Sequence, residues 1–219
     1  MTEVSVELSV GGPVWVIVVA AGGGTRFGAR KQYEPLGGRR VLDWSLDVAR
    51  AVADGVVLVV PVEEIGRAEP ADRVVAGGAT RSASVRAGLA AVPDDASVVV
   101  VHDAARPAAG VALFGAVIDA VRAGADGAVP GVAVVDTVKR VRDGVVVETV
   151  ERSELVAVQT PQAFRADVLR AAHAAGGDAS DDGALVEATG GRVVVVPGQP
   201  DNRKITGPDD LDRLRAVLA

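Results

Sequence analysis

Residues 16 to 36 read VIVVAAGGGTRFGARKQYEPL: an apolar run closes on three glycines, Gly22, Gly23 and Gly24, and Arg26, Arg30 and Lys31 follow within a few positions. Successive glycines at a strand exit let backbone N–H groups approach phosphate oxygens closely and form an anion-binding nest. Cations projecting over such a nest suit attack on the α-phosphorus of a nucleoside triphosphate, because charge grows there on the non-bridging oxygens and on the leaving pyrophosphate. Two commoner glycine loops fit less well. A Walker A loop needs Gly-Lys-Ser/Thr, whereas Gly28 is followed by Ala29 and Arg30. A dinucleotide fingerprint needs its third glycine to open an apolar helix, with an acid about 20 residues later. Gly24 leads instead into the charged stretch TRFGARKQYEPLGG, and the next Val-rich run starts only at Val56.

Lysine use points to the same loop. Of 23 cationic side chains only Lys31, Lys139 and Lys204 are lysine. An ammonium is a compact point charge that the planar guanidinium fork does not replace, so these positions are candidates for charge placement.

The elements that must hold these residues are legible as alternation. Val-rich runs VWVIVVA (14–20), VVLVVPV (56–62), SVVVVHD (97–103), GAVPGVAVV (127–135) and RVVVVPG (192–198) predict strands. Between them VLDWSLDVARAVA, SASVRAGLAAV, VALFGAVIDAVRAG and FRADVLRAAHAA carry apolar residues three and four apart and predict helices. Such a chain folds as an α/β, Rossmann-like, doubly wound and mostly parallel sheet. No repeat or Pro/Ser linker divides it, so one domain is expected over 1–219. One segment breaks the alternation: residues 136–152, DTVKRVRDGVVVETVER, place two short β-prone runs around Asp143-Gly144, a strong hairpin signal, and read as a protruding arm.

Composition narrows the classes further. The 219 residues can bury roughly 70% of the unfolded surface without a cofactor or a disulfide. Aromatics make up 3% of the chain and the net charge is −6, which argues against a nucleic-acid partner. No apolar run reaches the ~18 residues of a membrane span. MTEVSVELSV carries Glu3 and Glu7 where a signal peptide would carry cations, and cysteine is absent, so a soluble, cytoplasmic protein is expected.

AAGGGTRFGARKQ resembles the signature loop of the sugar and polyol nucleotidyltransferases. With GGATRSASVRAGL (77–89), VHDAARP (101–107), DTVKR (136–140), ER followed by AVQTPQAF, SDDGALVE (180–187) and DNRKIT (201–206), the chain is similar in block order and spacing to the 2-C-methyl-D-erythritol 4-phosphate cytidylyltransferase family. The resemblance implies that Ala20, Ala21, Gly22 and Gly24 hold CTP, and that Arg26 and Lys31 stabilise the transition state. Gly77, Gly78 and Ser84 would face the cytosine and ribose. Asp103, Ala104 and Arg106 would bind substrate, with Asp103 as ligand of Mg²⁺ or another divalent cation. The arm would be swapped within a homodimer, so that its Thr137 and Arg152 bind the polyol phosphate in the partner's site. Lys204 and Asp201 would act from the home subunit, and Thr160 and Ser180 with Asp181 complete the pocket.

The residues themselves leave alternatives: a ribitol 5-phosphate cytidylyltransferase, or a non-catalytic nucleotide-binding module. Ser180 with Asp181 and Asp182 also reads as a helix N-terminus with Ser as cap. His102 reads as strand-end structure and His173 as a helix surface residue, because an ionised phosphate nucleophile needs no general base. Three departures from the family pattern stand out. The stretch between Arg26 and Lys31 is short and has Arg30 in place of a proline, Ser180 stands for the usual Thr, and Gly183 for Ala or Ser.

Overall fold

A computed structural model describes residues 11–23, 27 and 30–218. Arg26 and Gly24, both expected at the nucleotide, lie outside the described residues. In chain order the elements are β1 (Val14–Val19), β2 (Pro35–Leu36), β3 (Arg39–Arg40), α1 (Val41–Val52), β4 (Gly55–Val60), β5 (Arg73–Ala76), α2 (Arg81–Ala90), β6 (Val98–Asp103), α3 (Val111–Arg122), β7 (Gly127–Ala133), β8 (Val138–Arg142), β9 (Val145–Val150), β10 (Val156–Val158), β11 (Gln162–Arg165), α4 (Ala166–Ala174), α5 (Asp182–Ala188), β12 (Val193–Pro197) and α6 (Pro208–Val217).

The five Val-rich runs all become strands of one sheet. β6, β1, β4 and β5 lie side by side in parallel, and β12 runs parallel to β7. Residues Gly127, Ala128 and Gly131 of β7 each pair on both sides, with β12 on one and with β11 or β10 on the other. β11 is antiparallel to both β6 and β7 and so joins the two parallel groups. The expected architecture is therefore present, with an antiparallel insertion that the sequence pattern does not predict.

Alternation along the strands distributes the core to both faces of the sheet. Val14, Val16 and Val18 of β1, with Val98 and Val100 of β6, face Leu42 and Leu46 of α1 and Phe114 and Val117 of α3. Ile17, Val57, Val59, Val99 and Val101 face Val85 of α2, Leu169 of α4 and Val186 of α5. A third cluster, Leu36, Val41, Ala105, Ile205, Leu211 and Leu214, packs α6 beside the end of β6 and carries the segment that holds Lys204.

The segment 136–152 forms the predicted hairpin. β8 and β9 pair antiparallel with a register shift between Arg140 and Val141. Asp143 (φ 48°) and Gly144 (φ 78°) both take positive φ, as a type I′ turn requires. Val141, Val145, Val146 and Val147 are each more than half exposed on this ribbon. Among the described residues no helix is long and apolar enough to cross a membrane.

Candidate active site

The site is assembled by strand ends. β1, β6 and β5 stop at Val19, Asp103 and Ala76 on the same edge of the sheet, the edge where open α/β sheets bind ligands. Backbone bonds lock the three exits together. Ala20 N donates to Val59 O at 2.8 Å, Gly77 N to Val60 O at 2.8 Å, and Ala104 N to Val19 O at 3.0 Å. Between them lies a cavity of about 280 Å³. Of the residues singled out from the sequence, Ala20, Ala21, Gly22, Lys31, Gly78, Ser84, Asp103, Ala104 and Lys204 line it.

The glycines answer to different constraints. A Cβ on Gly77 would sit 2.2 Å from the Ala21 Cβ and 2.9 Å from the Ser84 Oγ, so only glycine lets the end of β5 approach the loop after β1. A Cβ on Gly22 or Gly23 would meet none of the described atoms within 4 Å, and neither residue takes a positive φ. The described packing does not require glycine there, although both residues line the cavity.

Gln32, which closes the signature stretch but has no role assigned from the sequence, fixes this loop. It is buried, and its Nε2 donates to Ala20 O at 2.7 Å and to Gly22 O at 3.2 Å. The neighbouring Lys31 donates from Nζ to Ile205 O at 2.5 Å, which joins the loop to the Lys204 segment. Arg30 points elsewhere: it pairs with Glu64 at 2.8 Å and Glu63 at 3.2 Å, beside a shallow hollow that also touches Gly77 and Gly78.

The opposite wall is the start of α2. Thr80 caps it by accepting from Ala83 N at 3.1 Å. Ser84 Oγ donates to Thr80 O at 2.9 Å and accepts from Gly78 N at 3.1 Å, shaping the turn that faces the cavity. A helix N-terminus presents free N–H groups and a positive partial charge, both of which favour an anionic ligand.

Asp103 is the acidic centre. Lys204 Nζ lies 2.6 Å from its Oδ2 and Arg81 Nε 3.3 Å from its Oδ1, while its backbone N–H donates to Thr160 Oγ1 at 3.0 Å. Burial alone would raise the Asp103 pKa, but the Arg81 and Lys204 charges outweigh it and hold the carboxyl well below the usual range. The group is therefore ionised at neutral pH. No group of three His, Cys, Asp or Glu side chains suited to a metal is present among the described residues. The Asp103 carboxylate, ionised and at the edge of the glycine loop, has the oxygen chemistry that suits Mg²⁺, which is commonly held by one or two carboxylates together with substrate phosphates.

Several expected residues stand outside this cavity. Thr160 is buried beneath Asp103 and accepts its N–H. Arg106 donates to Asn202 O at 2.8 Å, and burial lowers its pKa. Gly77 faces the adjoining hollow, and Ser180 and Asp201 are exposed. Thr137 and Arg152 sit exposed at the arm, with Arg152 donating to Val135 O, and neither lines the cavity of its own chain.

Two readings are corrected. His173 is a buried residue, its Nε2 3.0 Å from Asp182 Oδ1, because α5 packs over the face of α4 that carries it. The cap of α5 is Asp181, which accepts from Ala184 N at 3.0 Å, one residue after the expected Ser180. His102 is fully buried at the end of β6, as expected of a structural residue, and burial lowers its pKa to about 4.

Residues 14–219 match the family model described as 2-C-methyl-D-erythritol 4-phosphate cytidylyltransferase (IspD). The chain is 47% identical to the protein of that name from Nocardia farcinica over 94% of each chain. It is 49% identical to a bifunctional IspD/IspF enzyme from Anaeromyxobacter dehalogenans over 92% of this chain but only 56% of the relative, so it spans a little over half the length of that two-part protein. Among solved structures, the Thermus thermophilus 2-C-methyl-D-erythritol 4-phosphate cytidylyltransferase superposes with a TM-score of 0.78 at 35% identity, covering 92% of this chain and 97% of that one. The Anaerococcus prevotii 4-diphosphocytidyl-2C-methyl-D-erythritol synthase gives 0.82 at 31% identity, covering 95% and 99%. Matched by the family model over residues 14–219 and 47% identical to a full-length relative of that name, this chain belongs to the 2-C-methyl-D-erythritol 4-phosphate cytidylyltransferase family.

Proposed function

We propose that this chain transfers the cytidylyl group of CTP to 2-C-methyl-D-erythritol 4-phosphate, releasing pyrophosphate, as a step of isoprenoid biosynthesis. The observation that carries the reading is the joint placement of Lys31, Lys204 and an ionised Asp103 around a cavity whose wall is a glycine loop.

A phosphate oxygen of the polyol attacks the α-phosphorus in line; the new P–O bond forms as the bond to the bridging α,β-oxygen breaks, and pyrophosphate leaves with that electron pair. The nucleophile is already ionised, so no proton has to be taken from it. This agrees with the placement of both histidines, which are buried and are not among the cavity-lining residues. Lys31 supplies fixed positive charge where the triphosphate gains charge, and Arg26 is assigned the same task from the sequence. Backbone N–H groups of the glycine loop and of the α2 start orient the phosphates, which supplies proximity. Asp103 would hold Mg²⁺ against the triphosphate; when bound, the ion neutralises charge on the phosphoryl oxygens. Lys204 holds Asp103 in place and would meet the polyol phosphate.

The same reading makes the working form a cytoplasmic homodimer. The exposed valines of the arm favour cover by a second copy, which would carry Thr137 and Arg152 to its neighbour's cavity.

The test is pyrophosphate release by the purified chain with Mg-CTP and either 2-C-methyl-D-erythritol 4-phosphate or ribitol 5-phosphate. Release with the former alone is expected, and its loss in Lys31→Ala by about a hundredfold or more. Release with ribitol 5-phosphate alone would replace the substrate, and silence with both would leave a binding module.

A further inference from the structure

Beneath the cavity, Arg81 stands between two carboxylates. Its Nε meets Asp103 at 3.3 Å and its Nη1 lies 2.8 Å from Oδ2 of Asp182, the first residue of α5. Asp182 has no exposed surface, and its other oxygen meets His173 on α4. The chain Lys204, Asp103, Arg81, Asp182, His173 thus runs from the cavity into the interior and ties the end of β6 to α2, α5 and α4.

Such a chain is a poor device for stability. Removing charges from water costs several kcal/mol per ion, and apolar packing of the same volume often does as well or better. The geometry is not tuned for hydrogen bonding either: Nη1 and Nη2 of Arg81 and Oδ2 of Asp182 are buried without a well-directed hydrogen bond. What the arrangement does secure is the position of one guanidinium. Arg81 lines the cavity, and with Asp182 holding its far end it brackets Asp103 from the side opposite Lys204.

We infer that Asp182, backed by His173, is a positioning residue that acts through Arg81 to fix the Asp103 carboxylate for the reaction. The inference rests on the activity assigned above. Without Asp182, Arg81 is released to pair fully with Asp103, and the carboxylate is drawn away from the substrate side. Asp182 itself touches no substrate.

The test is a double-mutant cycle with Asp182→Asn and Arg81→Met, read as kcat and KM and, independently, as calorimetric CTP affinity in EDTA. Asp182→Asn alone is expected to lower kcat at least about tenfold with a smaller effect on KM for CTP, and to add less than about twofold to the loss already caused by Arg81→Met. The same non-additivity is expected in CTP affinity. Losses that multiply, or an Asp182→Asn kcat within about twofold of the parent, overturn the inference. If Asp182→Asn does not fold, Arg81→Lys serves: it keeps the charge but lacks the fork that spans two carboxylates. A tenfold or greater fall in its kcat with unchanged thermal unfolding is then expected, and parental turnover overturns the inference. A parental protein silent with the polyol phosphate refutes the activity, while the calorimetric cycle still decides whether Asp182 acts through Arg81.

Discussion

Lys204 and Asp103 lie 101 residues apart in the chain, yet Nζ and Oδ2 meet at 2.6 Å. Asn202 makes this meeting possible: buried completely, it donates from Nδ2 to Thr160 O at 2.9 Å, while Ile205 N donates to Ala105 O at 2.8 Å. The segment is clamped on both sides of Lys204. Lys204→Ala should therefore leave the fold intact and lower kcat/KM by about 10²–10³-fold. Steady-state kinetics beside a thermal melt checks this, and near-parental turnover would remove Lys204 from the machinery.

Gly22 and Gly77 should separate phosphate binding from packing. Gly77→Ala forces a Cβ into Ala21 and should cost about 1–3 kcal/mol of stability in urea titrations. Gly22→Ala adds a methyl to open space, so stability should stay within about 0.5 kcal/mol. Its CTP affinity should nevertheless fall, because Gly22 lines the cavity and a methyl there hinders close approach of a phosphate to the backbone. Unchanged affinity in Gly22→Ala would show that the phosphates lie elsewhere.

Four of the long strands, β1, β4, β6 and β12, are legible because valine fills most of each, whereas β7, GAVPGVA, carries two valines among small residues and a proline. β11 is not legible, since QAFR is short, has no valine and directly follows Pro161, and only its two neighbours β6 and β7 make it a strand. In the site, Lys31, Asp103 and Lys204 stand out because they belong to motifs or to a rare residue type. Gln32 and Arg81 sit inside the same stretches, but their roles depend on partners at Ala20 and Asp182 that no local pattern reveals. His173 shows the converse: its helical spacing reads as a surface position, and Asp182 of a different helix covers it.

His102 gives the metal-free protein a stability that varies with pH. Its pKa is about 4 when folded, against 6.5 for the free side chain. Between those values the unfolded chain binds the extra proton, so stability is complete above pH 6.5 and declines as pH falls toward 4. The loss amounts to about 3 kcal/mol at most. Asp103, with its depressed pKa, adds a further loss only once the pH drops below the ordinary carboxylate value of 3.8. Denaturant titrations at about pH 7 and about pH 5 in EDTA should show the first decline, and His102→Asn should reduce it; an equal decline in the variant would assign it to other groups.

The arm makes the sharpest prediction about assembly. β8 and β9 pair with each other rather than with the main sheet, and Arg152 at their base is exposed and does not line the cavity of its own chain. If the arm serves a second copy, Arg152→Ala and Lys31→Ala each disable every site in their own homodimers. A hybrid dimer is different: the protomer that keeps Lys31 receives an intact Arg152 from its partner. Mixing the two inactive variants after denaturation and joint refolding should restore about a quarter of parental activity, since half the dimers are hybrids and each holds one complete site. An arm that acted only within its own chain would restore nothing, because every chain in the mixture would still lack one of the two residues.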